Sequence, residues 1–218
     1  MDEFTRLRAA LPAPRDHQRL LLGIVGAPGS GKSFVANMLA AALSPRGRTP
    51  APVIEMDGFH LSNEQLDLLG LRAQKGAPAS FDVEGLNCLL HRVRERGNSS
   101  VFAPAYDRAL HEPVAARVRV DPADELAIVE GNYLLLPEGQ WVACADALDL
   151  TVYLDVEDAL RRERLMARHV AHGRTRVEAL AWIDAVDDPN ARRIAATRDR
   201  ATMRIDGEAL VAAIRAAR

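Results

Sequence analysis

The run Leu20-Leu21-Leu22-Gly23-Ile24-Val25-Gly26-Ala27-Pro28-Gly29-Ser30-Gly31-Lys32-Ser33 decides the fold of this chain. Its first six residues are continuously apolar and end in glycine, the pattern of a strand buried on both faces. Its last eight fit G-x-x-x-x-G-K-[ST] completely. With that spacing, glycines let successive backbone N–H groups turn inward around a phosphate. The helix that follows adds free N–H groups and a positive dipole end. Residues 33–43 supply that helix, with Phe34, Met38, Leu39 and Ala42 on its apolar side. The loop from Gly26 through Ala27, Pro28, Gly29, Ser30 and Gly31 to Lys32 and Ser33 is therefore read as a nucleotide phosphate site. Lys32 is expected to reach the β- and γ-phosphates of ATP, and the Ser33 hydroxyl to ligate Mg2+.

Outward from this stretch, strands and helices alternate. Residues 1–19 read as a short amphipathic helix closed by Pro12 and Pro14. Residues 44–52 are a turn-rich connection, and residues 53–56 a short strand stopping at Asp57-Gly58. A helix is expected over 83–96, with Asp82 as N-cap and Gly97 past its end. Residues 101–106 fit a strand or an extended loop. Residues 126–130 and 147–154 are buried strands. A strongly charged helix over 155–171, helical stretches near 177–183 and 190–197, a strand at 202–205 and a closing helix at 208–217 complete the chain. The alternation predicts an α/β protein of the P-loop NTPase fold, a parallel sheet with helices on both faces. One domain over 1–218 is expected, carrying a helical, arginine-bearing lid at about 157–190.

Composition narrows the function. The 218 residues carry 28 basic and 30 acidic side chains, a net charge of -2, which gives no footprint for nucleic acid or an anionic membrane. Cys88 and Cys144 are the only cysteines and form no C-x-x-C, so a reducing cytoplasm fits and a disulfide framework does not. The longest apolar run near the start is too short to span a bilayer, so no membrane insertion is expected. Only Lys32 and Lys75 are lysines, which raises the prior that each is chemically required.

No Asn-Lys-x-Asp string for guanine exists, so a GTPase is not indicated. A kinase needs a carboxylate near the acceptor hydroxyl, an acid for the metal and cations over the transferring phosphoryl group. Asp57, ending the second strand, is the candidate base, because carboxyl ends of strands line the ligand crevice in such sheets. Glu130, ending the strand 126–130, is the candidate Mg2+ acid. Arg161, Arg164 and Arg168 fall on one helical stripe, and Arg174 follows Gly173 in a segment suited to hinge. Arg164 and Arg168 are assigned to ATP, and Arg168 and Arg174 to the transferring phosphoryl group.

At these residues the sequence resembles P-loop kinases of the uridine kinase, phosphoribulokinase and bacterial pantothenate kinase superfamily. Val53-Ile-Glu-Met-Asp57-Gly-Phe-His60 is similar to the motif whose aspartate is the family's catalytic base. Lys75-Gly-Ala-Pro-Ala-Ser-Phe-Asp82 resembles a pantothenate kinase string, and Tyr106-Asp-Arg-Ala-Leu-His111 a uridine kinase stretch whose Tyr and His face the acceptor. Glu130-Gly-Asn132-Tyr133 resembles the Glu-Gly strand end of the superfamily. The combination looks most like a bacterial branch named for nucleoside/nucleotide kinases or fructose transport system kinases.

The resemblance implies Asp57, His60, Lys75, Tyr106, His111 and Asn132 around a small hydroxyl acceptor, sugar- or nucleoside-like, with ATP and Mg2+ as cofactors. It also implies self-association, with a homodimer as one form. Two alternatives stand beside it: a nucleotide-binding regulatory ATPase acting on a protein partner, and a pantothenate-type kinase.

Overall fold

The computed structural model describes residues 1–218 other than Pro14, Arg46 and Arg218. Pro14, expected to help close the first helix, and Arg46, within the turn-rich connection, thus lie outside the described residues. The chain runs α1 (Glu3–Ala10), β1 (Leu20–Val25), α2 (Lys32–Leu43), β2 (Val53–Glu55), α3 (Asn63–Leu68), α4 (Val83–Arg94), β3 (Val101–Asp107), β4 (Glu112–Val120) and β5 (Leu126–Gly131). It continues through α5 (Trp141–Asp146), β6 (Leu150–Asp155), α6 (Asp158–Ala171), α7 (Arg176–Trp182), a π turn (Ile183–Asp187), α8 (Asp188–Ala195), β7 (Met203–Asp206) and α9 (Gly207–Ala216).

Five strands form a parallel sheet in the order β2-β5-β1-β6-β7. β1 takes the centre because both its faces are apolar. Leu21 and Val25 enter one core layer with Val129 and Tyr153, beneath α4 and α5. Leu22 and Ile24 enter the other with Ile128 and Val152, beneath α1, α2 and α9. Each fully buried side chain of this size contributes about 1.5–3 kcal/mol, and a one-residue slip would move every one to the wrong layer. The chain leaves β1 toward β2 on one side and later fills β6 and β7 on the other. The crevice at the carboxyl ends of β1 and β5 is therefore a topological switch point.

The expected parallel α/β architecture is present, with Asp82 capping α4 by accepting from the Gly85 N–H at 2.8 Å. Three expectations are corrected and one open alternative is decided. The region 101–106, open between strand and extended loop, is a strand, and it pairs antiparallel with β4, which the sequence reading missed, in a hairpin outside the main sheet. The strand expected from residue 147 begins at Leu150, after the unforeseen helix α5. Asp57 stands two residues beyond the end of β2, in a 3-10 turn over Met56–Phe59. Arg161, placed on the lid stripe, is an internal residue, as its contacts below show. Among the described residues no helix is long and apolar enough to cross a membrane.

Candidate active site

The phosphate loop joins β1 to α2. Gly29 and Gly31 hold φ of +82° and +81°, the left-handed region in which a Cβ is strained. A Cβ on Gly29 would also lie 2.6 Å from the Arg161 carbonyl oxygen. Gly31 is the N-cap of α2 and makes no side-chain cap, so the first amides of the helix have no side-chain partner there. Gly26, Pro28 and Ser30 are buried, and the Ser30 hydroxyl has no hydrogen-bond partner. Ala27 and Ser30 face a rear cavity of about 360 Å3, on the Arg161 side of the loop.

Lys32 and Ser33 open into a cleft of about 460 Å3 that also receives Asp57, His60, Lys75, Tyr106, His111, Asn132, Arg168 and Arg174. The sequence reading thus named residues that six separate segments bring to one cavity. The Ser33 hydroxyl donates to Glu130 Oε1 at 2.6 Å. Glu130 is only 4% exposed, and burial pushes its carboxyl up to about 7, against the opposing pull of Lys32. A buried carboxylate short of positive charge beside a hydroxyl fits a hard divalent cation. Among the described residues no three His, Cys, Asp or Glu side chains gather to hold a metal unaided. Ser33 and Glu130 match the sparse protein ligation of Mg2+, which keeps waters and substrate phosphates as its other ligands.

Asp57 is aimed by its turn. A Cβ on Gly58 would come within 2.5 Å of the Pro104 carbonyl oxygen, so the turn packs directly on the β3–β4 hairpin, whose register shifts at Pro104. The preceding Glu55 is pushed upward by burial and by Asp57. His60 Nδ1 donates to the Asp57 carbonyl at 2.8 Å, which fixes its tautomer. Its ring lies 4.0 Å from Phe81 and 5.0 Å from Tyr106, centroid to centroid. Burial holds the His60 pKa below the usual imidazole value and raises the Tyr106 phenol.

Lys75 Nζ donates to Asn63 Oδ1 at 2.7 Å and to the His111 carbonyl at 2.6 Å, and lies 5.4 Å from the centre of the Tyr106 ring. His111 adopts φ +55°, a left-handed conformation uncommon outside glycine. Asn132 Oδ1 is buried without a hydrogen-bond partner and belongs to a residue lining the cleft.

The arginines of α6 diverge. Arg161 is 3% exposed and binds Asp158 (3.0 Å), Asp188 (2.5 Å) and the Pro28 carbonyl (3.4 Å), bracing the phosphate loop from behind. Arg164 pairs with Glu208 at 2.6 Å and lines a smaller cavity of about 190 Å3 with Gly29, Gly31, Lys32 and Ser33. Arg168 borders both that cavity and the main cleft. Arg174 donates to His169 Nδ1 at 2.7 Å, and His169 Nε2 donates to Asp187 at 2.8 Å. The Arg174 guanidinium stacks on Trp182, 4.1 Å from the ring centre.

Sequence reasoning missed Arg72, Arg108, His169, His172, Trp182, Val186 and Asp187 as lining residues. Arg108 stands inside the Tyr106–His111 string, so that string was the available signal. Asn190 lines the cleft from within α8, whose N-cap is Asp187.

Residues 21–209 match the phosphoribulokinase / uridine kinase family. The chain belongs to that family. A Schizosaccharomyces pombe protein named "Putative uridine kinase C227.14" is 36% identical over 79% of this chain and 77% of its own length. The pantothenate kinase of Enterococcus faecalis is 31% identical over 64% of this chain and 46% of its own length. A Silicibacter sp. TM1040 crystal structure of a "putative fructose transport system kinase" superimposes with a TM-score of 0.83 and 40% identity, covering 92% of this chain and 96% of that one.

Proposed function

We propose that this chain is an ATP-dependent phosphotransferase that moves the γ-phosphoryl of ATP to a hydroxyl of a small sugar- or nucleoside-like molecule. One observation carries the reading: Lys32 and Ser33 of the phosphate loop share a single cleft with Asp57 and with Arg168 and Arg174. That is the set of parts phosphoryl transfer requires, a nucleotide grip, a proton acceptor and cations facing them. Family membership supports the same chemistry.

In this reading the acceptor O–H bond breaks as its proton passes to an Asp57 carboxylate oxygen. The acceptor oxygen bonds to the γ-phosphorus while the bond from that phosphorus to the bridging oxygen breaks, and the electron pair leaves on ADP. Lys32 and the loop amides hold the phosphate chain. Arg168 and Arg174 neutralise charge that develops on the transferring group. Ser33 and Glu130 would hold Mg2+, which when bound would supply further charge neutralisation for the phosphates. The segment of about residues 157–190, comprising α6, α7 and the start of α8, acts as the lid that brings these arginines in.

The test uses Asp57→Asn. Acceptor-dependent ADP release falls by about 10²- to 10⁴-fold, the usual contribution of a positioned base, while ATP affinity by calorimetry stays near wild type. Undiminished turnover removes Asp57 from this role.

A further inference from the structure

The charge in the main cleft is lopsided. Among the described residues its lining carries Lys32, Arg72, Lys75, Arg108, Arg168 and Arg174 against Asp57 and Asp187. Asp187 is already engaged by His169. Lys32, Arg168 and Arg174 answer to the nucleotide phosphates in the reading above, which leaves Arg72, Lys75 and Arg108 on the acceptor side.

These three are weakly neutralised. Lys75 spends two of its N–H donors on neutral oxygens, those of Asn63 and the His111 backbone, and burial together with the nearby Arg72 lowers its pKa. Glu112 acts on it only at a distance, having committed Oε1 to the Asn63 N–H at 2.8 Å. Arg72 pairs with Asp67 at 3.1 Å, but both groups are about half exposed, where such a pair is weak. Arg108 cannot rely on its neighbour Asp107, which accepts from Arg117 at 3.0 Å and from the N–H groups of Ala109 and Leu110. Instead the Arg108 charge acts on Glu55 and Tyr106, beside the candidate base.

We propose that the acceptor is itself an anion, a hydroxylated small molecule whose carboxylate or phosphate is gripped by Lys75 and Arg108 with help from Arg72, while a hydroxyl is offered to Asp57. The inference rests on the kinase reading. It narrows the sugar- or nucleoside-like acceptor to its charged forms: a sugar acid, a sugar phosphate or a nucleotide. Held this way, Lys75 keeps its neutral partners and gains the charged one it lacks. Charge-assisted bonds of this kind give both affinity and a fixed orientation.

The experiment measures ADP release with matched sets: D-ribose, D-ribonate and D-ribose-5-phosphate; glycerol, glycerate and glycerol phosphate; uridine and its monophosphate. At least one anionic member is expected to exceed its neutral counterpart by roughly 10- to 100-fold in kcat/KM, the value of one or two charge-assisted bonds. Lys75→Met and, separately, the exposed Arg108→Gln should each raise KM for that anion by a similar factor, with Lys75→Arg recovering part of it. A neutral member used as well as its anions overturns the proposal, as does an anion whose KM neither variant moves. Release from none of the compounds overturns it too. Calorimetry with ATP and Mg2+ then separates the two ideas: retained binding leaves the kinase reading standing, and no binding removes both.

Discussion

The Ser33 hydroxyl donates to Glu130 Oε1 across 2.6 Å, tying the first turn of α2 to the end of β5. The bond places the two candidate metal ligands side by side in a pocket where the carboxylate is nearly sealed from solvent. Glu130→Gln keeps the shape and removes the charge. Its expected cost is about 10- to 100-fold in divalent-ion affinity, the range for groups that support a metal site. Mn2+ titration followed by electron paramagnetic resonance, with ADP present, reads it directly. In metal-free protein the same change should raise rather than lower Tm, since it removes a charge buried short of a partner. An unchanged Mn2+ isotherm would exclude Glu130 from the metal.

Trp182 offers a test of the proposed lid. The Arg174 guanidinium covers its ring at 4.1 Å, whereas Trp141, the other tryptophan, is buried in the core. If Arg174 swings to the phosphoryl group, it must leave that ring. In a Trp141→Phe background, ATP with Mg2+ should shift Trp182 emission, and Arg174→Met should abolish the shift. Identical spectra with and without nucleotide would mean the lid does not move this contact.

His60 makes stability depend on pH with a definite sign. Burial lowers its folded pKa beneath the usual imidazole value of about 6.5. Between those two values the unfolded chain binds a proton that the folded chain refuses, so stability rises with pH through this window and is lost as pH falls below about 6.5. Urea denaturation from about pH 7.5 down to about pH 5 should show a shallower loss for His60→Gln than for wild type. Equal slopes would mean His60 takes its proton without penalty.

Gly29→Ala should strike folding and nucleotide grip together. The new Cβ meets both an unfavourable φ and the Arg161 carbonyl. A loss of about 1–3 kcal/mol in urea denaturation is expected from such strain, with weaker ATP binding by calorimetry. Wild-type values for both would show that the loop adjusts freely.

How much of this was legible follows from range. The phosphate loop, β1, Asp57 and Glu130 announce themselves within short windows, because glycine spacing and unbroken apolar runs are local properties. β4 does not: Pro113, the adjacent Ala115 and Ala116 (the latter at φ +58°) and the half-exposed faces break the alternation that marks a strand. The stripe Arg161, Arg164, Arg168 was read correctly as helix geometry. What each guanidinium meets depends on Pro28, Asp188, Glu208 and the cleft, all distant in sequence. The Arg174–His169–Asp187 chain was invisible for the same reason: His169 and Asp187 lie 18 positions apart, joined by helices whose docking no local pattern encodes.

The β3–β4 hairpin has one more consequence. It contributes Tyr106, Arg108 and His111 to the cleft while its strands pair only with each other. Substitutions at its tip can therefore change what the cleft presents without breaking a ladder bond of the five-stranded sheet. Ala103 and Val120 root the ribbon in the core and Pro104 backs the turn at Gly58, so its freedom to vary lies in the tip that carries Arg108 and His111.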